Sequence, residues 1–245
     1  MASNDPPAFP ERMMSMAEPG MLFMGSVYHA RDGAEGPPVG SSALIPPLLA
    51  TADGLVLDVG PGTGTQTPFF TNANLVRMYG AEPCQGLHKE LMAKVEACGL
   101  SDKYQILQCS AERKELYPAL EREGLLAETE TAVVKGGVGP VQGGRGVFDT
   151  IVCVRVLCSV PDQRGTVRGL YDLLKPGGKL VMVLTMLGWE FFMGNCHMNR
   201  DTERVLREVA EEAGDGGWEK VDVQRWFEWS ALPYVEGTLV KRREG

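Results

Sequence analysis

The chain has 245 residues, 44% of them hydrophobic and 23% charged, which is globular usage and excludes a disordered or collagen-like polymer. Lysine and arginine number 24 against 32 for aspartate and glutamate, so the formal charge is −8. That balance argues against nucleic acid or an anionic membrane as partner, because no cation excess exists to displace phosphate counterions or to meet lipid headgroups.

The length fits one large α/β domain, or at most two small ones, with a core that needs no disulfide or metal staple. The cysteines, Cys84, Cys98, Cys109, Cys153, Cys158 and Cys196, include no Cys-x-x-Cys pair, so free thiols are expected. Histidine occurs only as His29, His88 and His197, and no metal cluster is expected. The first residues lack a basic start followed by an apolar run, and no apolar stretch reaches the ~18 residues of a membrane span. The expectation is a soluble, cytoplasmic protein.

Residues 1–50 are rich in Pro, Gly and Met and read as an N-terminal arm, with helical spacing from Glu11 to Met24, loop from Arg31 to Gly40, and Pro46-Pro47 after a short helix or turn. Residues 51–245 read as one domain. Leu55–Val59 is a buried strand by length and β-branched content, followed by a glycine turn and then a helix. Leu75–Ala81 is the second strand. Leu87, Leu91, Val95 and Cys98 share one side of a helix that stops at Gly99. Tyr104–Cys109 is a third strand and Glu112–Glu123 a helix. Residues 124–146 carry two glycine-rich runs and read as a mobile insertion. Phe148–Val156 is an apolar strand, Asp162–Leu174 a helix, and Lys175-Pro176-Gly177-Gly178 a turn before the strand Lys179–Met186. Asn199–Ala213 is an amphipathic helix with Val205, Leu206, Val209 and Ala213 on one face. Trp218–Trp226 and Gly237–Lys241 close the chain as strands. Strands alternating with helices give an α/β fold with a doubly wound, mostly parallel sheet. The last two strands lack an intervening helix, which gives an antiparallel edge.

The most informative stretch is Leu57-Asp58-Val59-Gly60-Pro61-Gly62-Thr63-Gly64. A glycine-rich turn at the carboxyl end of a strand lets a ligand approach the backbone. The spacing is Gly-x-Gly-x-Gly. The third glycine of a dinucleotide fingerprint would fall at Thr65, which counts against NAD or FAD. Glu82 closes the second strand, 22 residues after Gly60, where a carboxylate can accept from two ribose hydroxyls. Asp58 either orders the loop by hydrogen bonds or sits solvated at the strand end.

Asp58-x-Gly60-x-Gly62-x-Gly64 with Glu82 resembles the first two motifs of the class I methyltransferases that use S-adenosylmethionine. Gln108-Cys109-Ser110-Ala111-Glu112, Phe148–Arg155 and Leu174-Lys-Pro-Gly-Gly178 extend the resemblance in order, over about residues 54–245. It implies a Rossmann-like, seven-stranded sheet with an antiparallel edge strand and S-adenosylmethionine as cofactor. Carried over, Gly60, Pro61, Gly62, Thr63 and Gly64 meet the methionine portion, with Asp58 before them among the cofactor residues. Glu82 and Pro83 meet the ribose, Ser110, Ala111 and Glu112 flank the adenine, and Val154 and Arg155 face the methyl-bearing side. Val156-Leu-Cys-Ser-Val160 and Cys196–Thr202 resemble the branch of small-molecule and alkyl-thiol methyltransferases. That branch's membrane anchor is not seen, and Leu184-Thr185 stands near the place of its Glu-His pair.

The acceptor side is read from composition alone. Tyr28, with Phe23 and His29, either folds over the cofactor as a lid or packs. Trp189, Phe191 and Phe192 form either a substrate wall or core. His197 is the candidate general base, its ordinary pKa lying near neutrality, or an ordinary polar residue. The expected activity is methyl transfer to an N, O or S atom of a small molecule, with natural-product tailoring as its setting. The rivals are a cofactor-binding regulatory protein without turnover and a nicotinamide oxidoreductase.

Overall fold

A computed structural model describes residues 40–126, 146–185, 201–226 and 234–243. Among these residues the chain forms one sheet of seven strands in the order β3-β2-β1-β4-β5-β7-β6. The strands are β1 (Gly54–Val59), β2 (Leu75–Ala81), β3 (Tyr104–Leu107), β4 (Phe148–Val154), β5 (Leu174–Thr185), β6 (Trp218–Trp226) and β7 (Tyr234–Lys241). The helices are α1 (Ile45–Leu49), α2 (Gln85–Ala97), α3 (Arg113–Arg122), α4 (Gln163–Leu173) and α5 (Thr202–Ala213).

β1 to β5 are mutually parallel, while β7 runs antiparallel to both β5 and β6. The antiparallel strand is therefore second from that edge, and β6 is outermost. Side-chain alternation sorts the strands' apolar residues onto two faces. Leu57, Val59, Ile151, Cys153, Leu180 and Met182 pack with α3, α4 and α5 on one face. Val56, Met78, Val152, Val154, Val181 and Val183 pack with α1 and α2 on the other. α1 places Ile45 and Leu49 in this second core, with Pro46 in its first turn, where a missing N–H costs nothing.

Four expectations need correction. The helix expected after the glycine turn is a single 3-10 turn, Thr67–Phe69. Gly64, the β-branched Thr63, Thr65 and Thr67, and Pro68 leave too few good helix formers before β2 begins. The turn at Lys175–Gly178 does not separate α4 from β5. It lies within β5 as an irregularity, with Phe148 opposite Leu174 but Thr150 opposite Lys179. Gly177, at φ 79°, takes up the extra residues. On α2, Leu87, Leu91 and Val95 are buried as expected, but Cys98 caps the helix half-exposed. The final strand also begins earlier than expected, at Tyr234. The arm before residue 40, residues 127–145 of the expected insertion and the segment 186–200 lie outside the described residues.

Candidate functional site

Because β1 to β4 are parallel, their carboxyl ends meet at one edge of the sheet. The chain winds β1-β2-β3 to one side and β4-β5 to the other, so the order switches between β1 and β4. Ligands of doubly wound sheets bind at such a switch point. It brings together Asp58 and the loop Gly60–Gly64 after β1, Glu82 and Pro83 after β2, Ser110–Glu112 after β3, and Val154 with Arg155 at the end of β4. All thirteen cofactor residues expected from the sequence thus stand at one edge. Tyr28, Trp189 and His197 lie outside the described residues.

The loop is tight by construction. Gly60 has φ 64°, its N–H donates to Ala81 O at 3.0 Å, and a Cβ there would lie 2.6 Å from Val156 Cγ2. The segment after β4 therefore packs directly on the loop after β1. Gly62 also has a positive φ, 60°, yet a Cβ on it would meet nothing within 4 Å. Its missing side chain leaves open space above the loop. Gly64 N–H closes the turn by donating to Pro61 O at 3.0 Å.

Glu82 is 3% exposed. Its Oε2 accepts from the Gly62 N–H at 2.9 Å and its Oε1 from the Cys84 N–H at 2.8 Å. Burial pushes its carboxyl up from the ordinary glutamate value, against the pull of those two N–H groups. The same residue's carbonyl meets His88 Nε2 at 2.9 Å. Two of the carboxylate's about four lone-pair sites are used, which leaves acceptors for hydroxyls of a ligand.

Asp58 is wholly buried, which excludes its reading as a solvated strand-end carboxylate. Its Oδ1 accepts from Gln66 Nε2 at 3.2 Å and its Oδ2 from the Tyr104 hydroxyl at 3.0 Å. Tyr104 and Gln66 were not among the expected site residues. Gly80, inside β2, carried the signal: a glycine within a strand marks a close approach, here by the Tyr104 ring.

At the third turn, the Ser110 N–H donates to Glu115 Oε2 at 2.9 Å and the Ser110 hydroxyl accepts from the Glu112 N–H at 3.4 Å. At the fourth, Arg155 has φ 55°, the sole non-glycine in the left-handed region among the described residues. Strain of that kind gathers at functional sites. Its N–H donates to Val183 O at 2.7 Å, and its guanidinium donates to the buried Ser42 hydroxyl at 2.9 Å. The Cys158 thiol donates to Arg155 O at 3.6 Å. Among the described residues no group of His, Cys, Asp and Glu could hold a metal ion, and no helix is long and apolar enough to cross a membrane.

A family model described as a methyltransferase domain matches residues 41–214. The chain belongs to this methyltransferase-domain family. Among solved structures, the methyltransferase is similar to the [4+2]-cyclase SpnF, with TM-score 0.59 and 15% identity over 93% of this chain and 97% of that one. It is similar to the 1,6-didemethyltoxoflavin-N1-methyltransferase of Burkholderia thailandensis, with TM-score 0.55 and 19% identity over 98% and 93% of the two chains. It is also similar to the N-methyltransferase NodS of Bradyrhizobium japonicum, with TM-score 0.54 and 14% identity over 82% and 93%. At these identities the likeness shows the fold. No curated protein matches the sequence.

The methyl donor of such a domain is S-adenosylmethionine, and the methyltransferase's residues fit it. Open space lies above Gly62, a buried carboxylate with spare acceptors stands beside it, and the Ser110–Glu112 turn flanks the same edge.

Proposed function

We propose that this methyltransferase methylates an N, O or S atom of a small molecule, as a tailoring step on a natural product in the cytoplasm. The observation that carries the donor reading is Glu82, buried at the end of β2 with Oε2 on the Gly62 N–H. One carboxylate thereby holds the loop open and keeps acceptors for a ribose. The 1,6-didemethyltoxoflavin-N1-methyltransferase, similar in fold, supports a small acceptor. The charge of −8 supports a partner other than nucleic acid or membrane.

When bound, S-adenosylmethionine supplies a methyl group on a sulfonium, open to in-line displacement. The task left to the chain is placement and exclusion of water. Gly60, Pro61, Gly62, Thr63 and Gly64 would hold the methionine portion, Glu82 and Pro83 the ribose, and Ser110, Ala111 and Glu112 the adenine. Asp58 would keep the loop in shape through Gln66. Val154 and Arg155 would line the methyl side, where Arg155 makes a left-handed turn after β4. On the acceptor side, Tyr28 and Trp189 would contact substrate and His197 would take its proton.

A nicotinamide dinucleotide suits the site poorly. Its pyrophosphate needs a helix N-terminus after the glycine turn, and here a single 3-10 turn follows. Calorimetric titration with S-adenosylhomocysteine and NADH tests the donor. Heat with the first and none with the second is expected, and the reverse would refute the reading. Comparing metabolites of cells with and without the gene, in search of a partner one CH2 heavier, would then identify the acceptor. A donor bound with no such product would favour the regulatory reading.

A further inference from the structure

Tyr104 opens β3, on the far side of β2 from β1. Its phenol nevertheless donates to Asp58 of β1, because Gly80 leaves the space between them free. Asp58 passes the connection to Gln66, which is buried and begins the 3-10 turn just past the glycine loop. Glu82 holds the same loop at Gly62. The loop is thus fastened at its middle by a carboxylate beside it, and just past its end by a hydrogen-bonded line that starts two strands away.

We propose that Tyr104 is a positioning residue for the donor site, holding the glycine loop in its binding shape through ionised Asp58 and Gln66. The inference rests on the donor reading above. The groups that face Asp58 are Tyr104 from β3, Gln66 from the loop, Glu82 from the end of β2 and Cys153 from β4, whose thiol is coupled to its charge. Glu82 in turn faces His88 of α2. Burial pushes the Asp58 carboxyl up to about 7, against the pull of Gln66 and Tyr104, with the Glu82 charge adding to the rise. Burial also holds the Tyr104 phenol well above its usual range, so it remains a donor throughout.

Both hydrogen bonds are stronger to the ionised carboxylate than to the neutral acid. A protonated Asp58 brings a third proton to a place where two donors already point, and Gln66 can receive it only by turning its amide. Losing these bonds while Asp58 stays buried would raise its midpoint further, so the loop is held most firmly above neutrality and loosens as pH falls through about 7. Removing the Tyr104 hydroxyl takes away a bond that favours ionisation, so the midpoint must move upward.

The test is calorimetric titration of S-adenosylhomocysteine into the full chain, from about pH 5.5 to about pH 8.5. Wild-type affinity should fall on acidification with a midpoint near 7. Tyr104→Phe should weaken binding about three- to tenfold at the alkaline end and raise the midpoint. Asp58→Asn should remove the step near 7, and His88→Asn, which removes the imidazole that meets the Glu82 carbonyl, should keep the wild-type midpoint. A Tyr104→Phe protein that melts earlier but keeps the midpoint would overturn the inference, because a purely structural role predicts that result. Should the variant fail to fold, carboxyl NMR of wild-type Asp58 decides, since bound ligand must lower its midpoint and an unmoved one overturns the inference. No binding by wild-type protein at any pH would sink the donor reading itself, and this inference with it.

Discussion

Glu82 combines two tasks that are usually separate. Its carboxylate accepts from Gly62 and Cys84, and in the proposed site it would offer its remaining lone pairs to the ribose. Glu82→Ala should weaken S-adenosylhomocysteine binding by about 1–3 kcal/mol, measured by calorimetry. The loss has two sources, ribose hydroxyls without their acceptor and a loop N–H left to find water. Unchanged affinity would refute the ribose assignment. Glu82 was legible in the sequence because its distance from Gly60 and its place at a strand end carry the signal. Tyr104 and Gln66 were not, since their role depends on which residues meet across β2, and spacing along the chain does not encode that meeting.

At the scale of elements, periodicity located nearly every strand and helix, and the two main failures have opposite causes. The stretch after Gly64 was expected to be a helix because strands of this fold class alternate with helices, yet its threonines and Pro68 resist that state and a 3-10 turn results. Local chemistry prevailed there over the alternation rule. At Lys175–Gly178 the reverse happened. A turn-forming tetrapeptide was drawn into β5 as an irregularity, because its neighbours pair with β4 on both sides. α4 kept its expected start, and Asp162 caps it by accepting from the Gly165 N–H at 2.9 Å. Asp162→Ala should cost about 1 kcal/mol and lower the melting temperature by about 2–4 °C in a thermal scan. No change would mean that tertiary packing alone holds the helix end.

At the scale of the molecule, the antiparallel pair β6 and β7 must be fastened to a parallel sheet, and one buried cation does much of this. Lys241 at the end of β7 lies 3.2 Å from Asp215 Oδ2, donates to Tyr171 O of α4 at 3.2 Å, and sits 4.3 Å from the centre of the Tyr171 ring. The Tyr171 hydroxyl donates to Asp215 at 2.6 Å, and its ring meets Trp218 of β6 edge-on at 4.9 Å. Lys241→Ala should destabilise the fold by about 1–3 kcal/mol in urea unfolding. The figure is below that of a fully buried pair because Asp215 remains 41% exposed. Donor binding should persist in the folded variant, since this cluster lies across the sheet from the switch point.

By itself the sequence determined the class of the fold, the glycine turn after the first strand and the acid that closes the second. Those features are local: periodicity, turn residues and spacing act over a few neighbouring positions. Tertiary structure alone decided that Asp58 is buried instead of solvated, that Tyr104 reaches it past Gly80, and that β7 lies between β5 and β6. Each of those outcomes depends on which distant segments share a layer, and that is fixed by how whole faces bury one another.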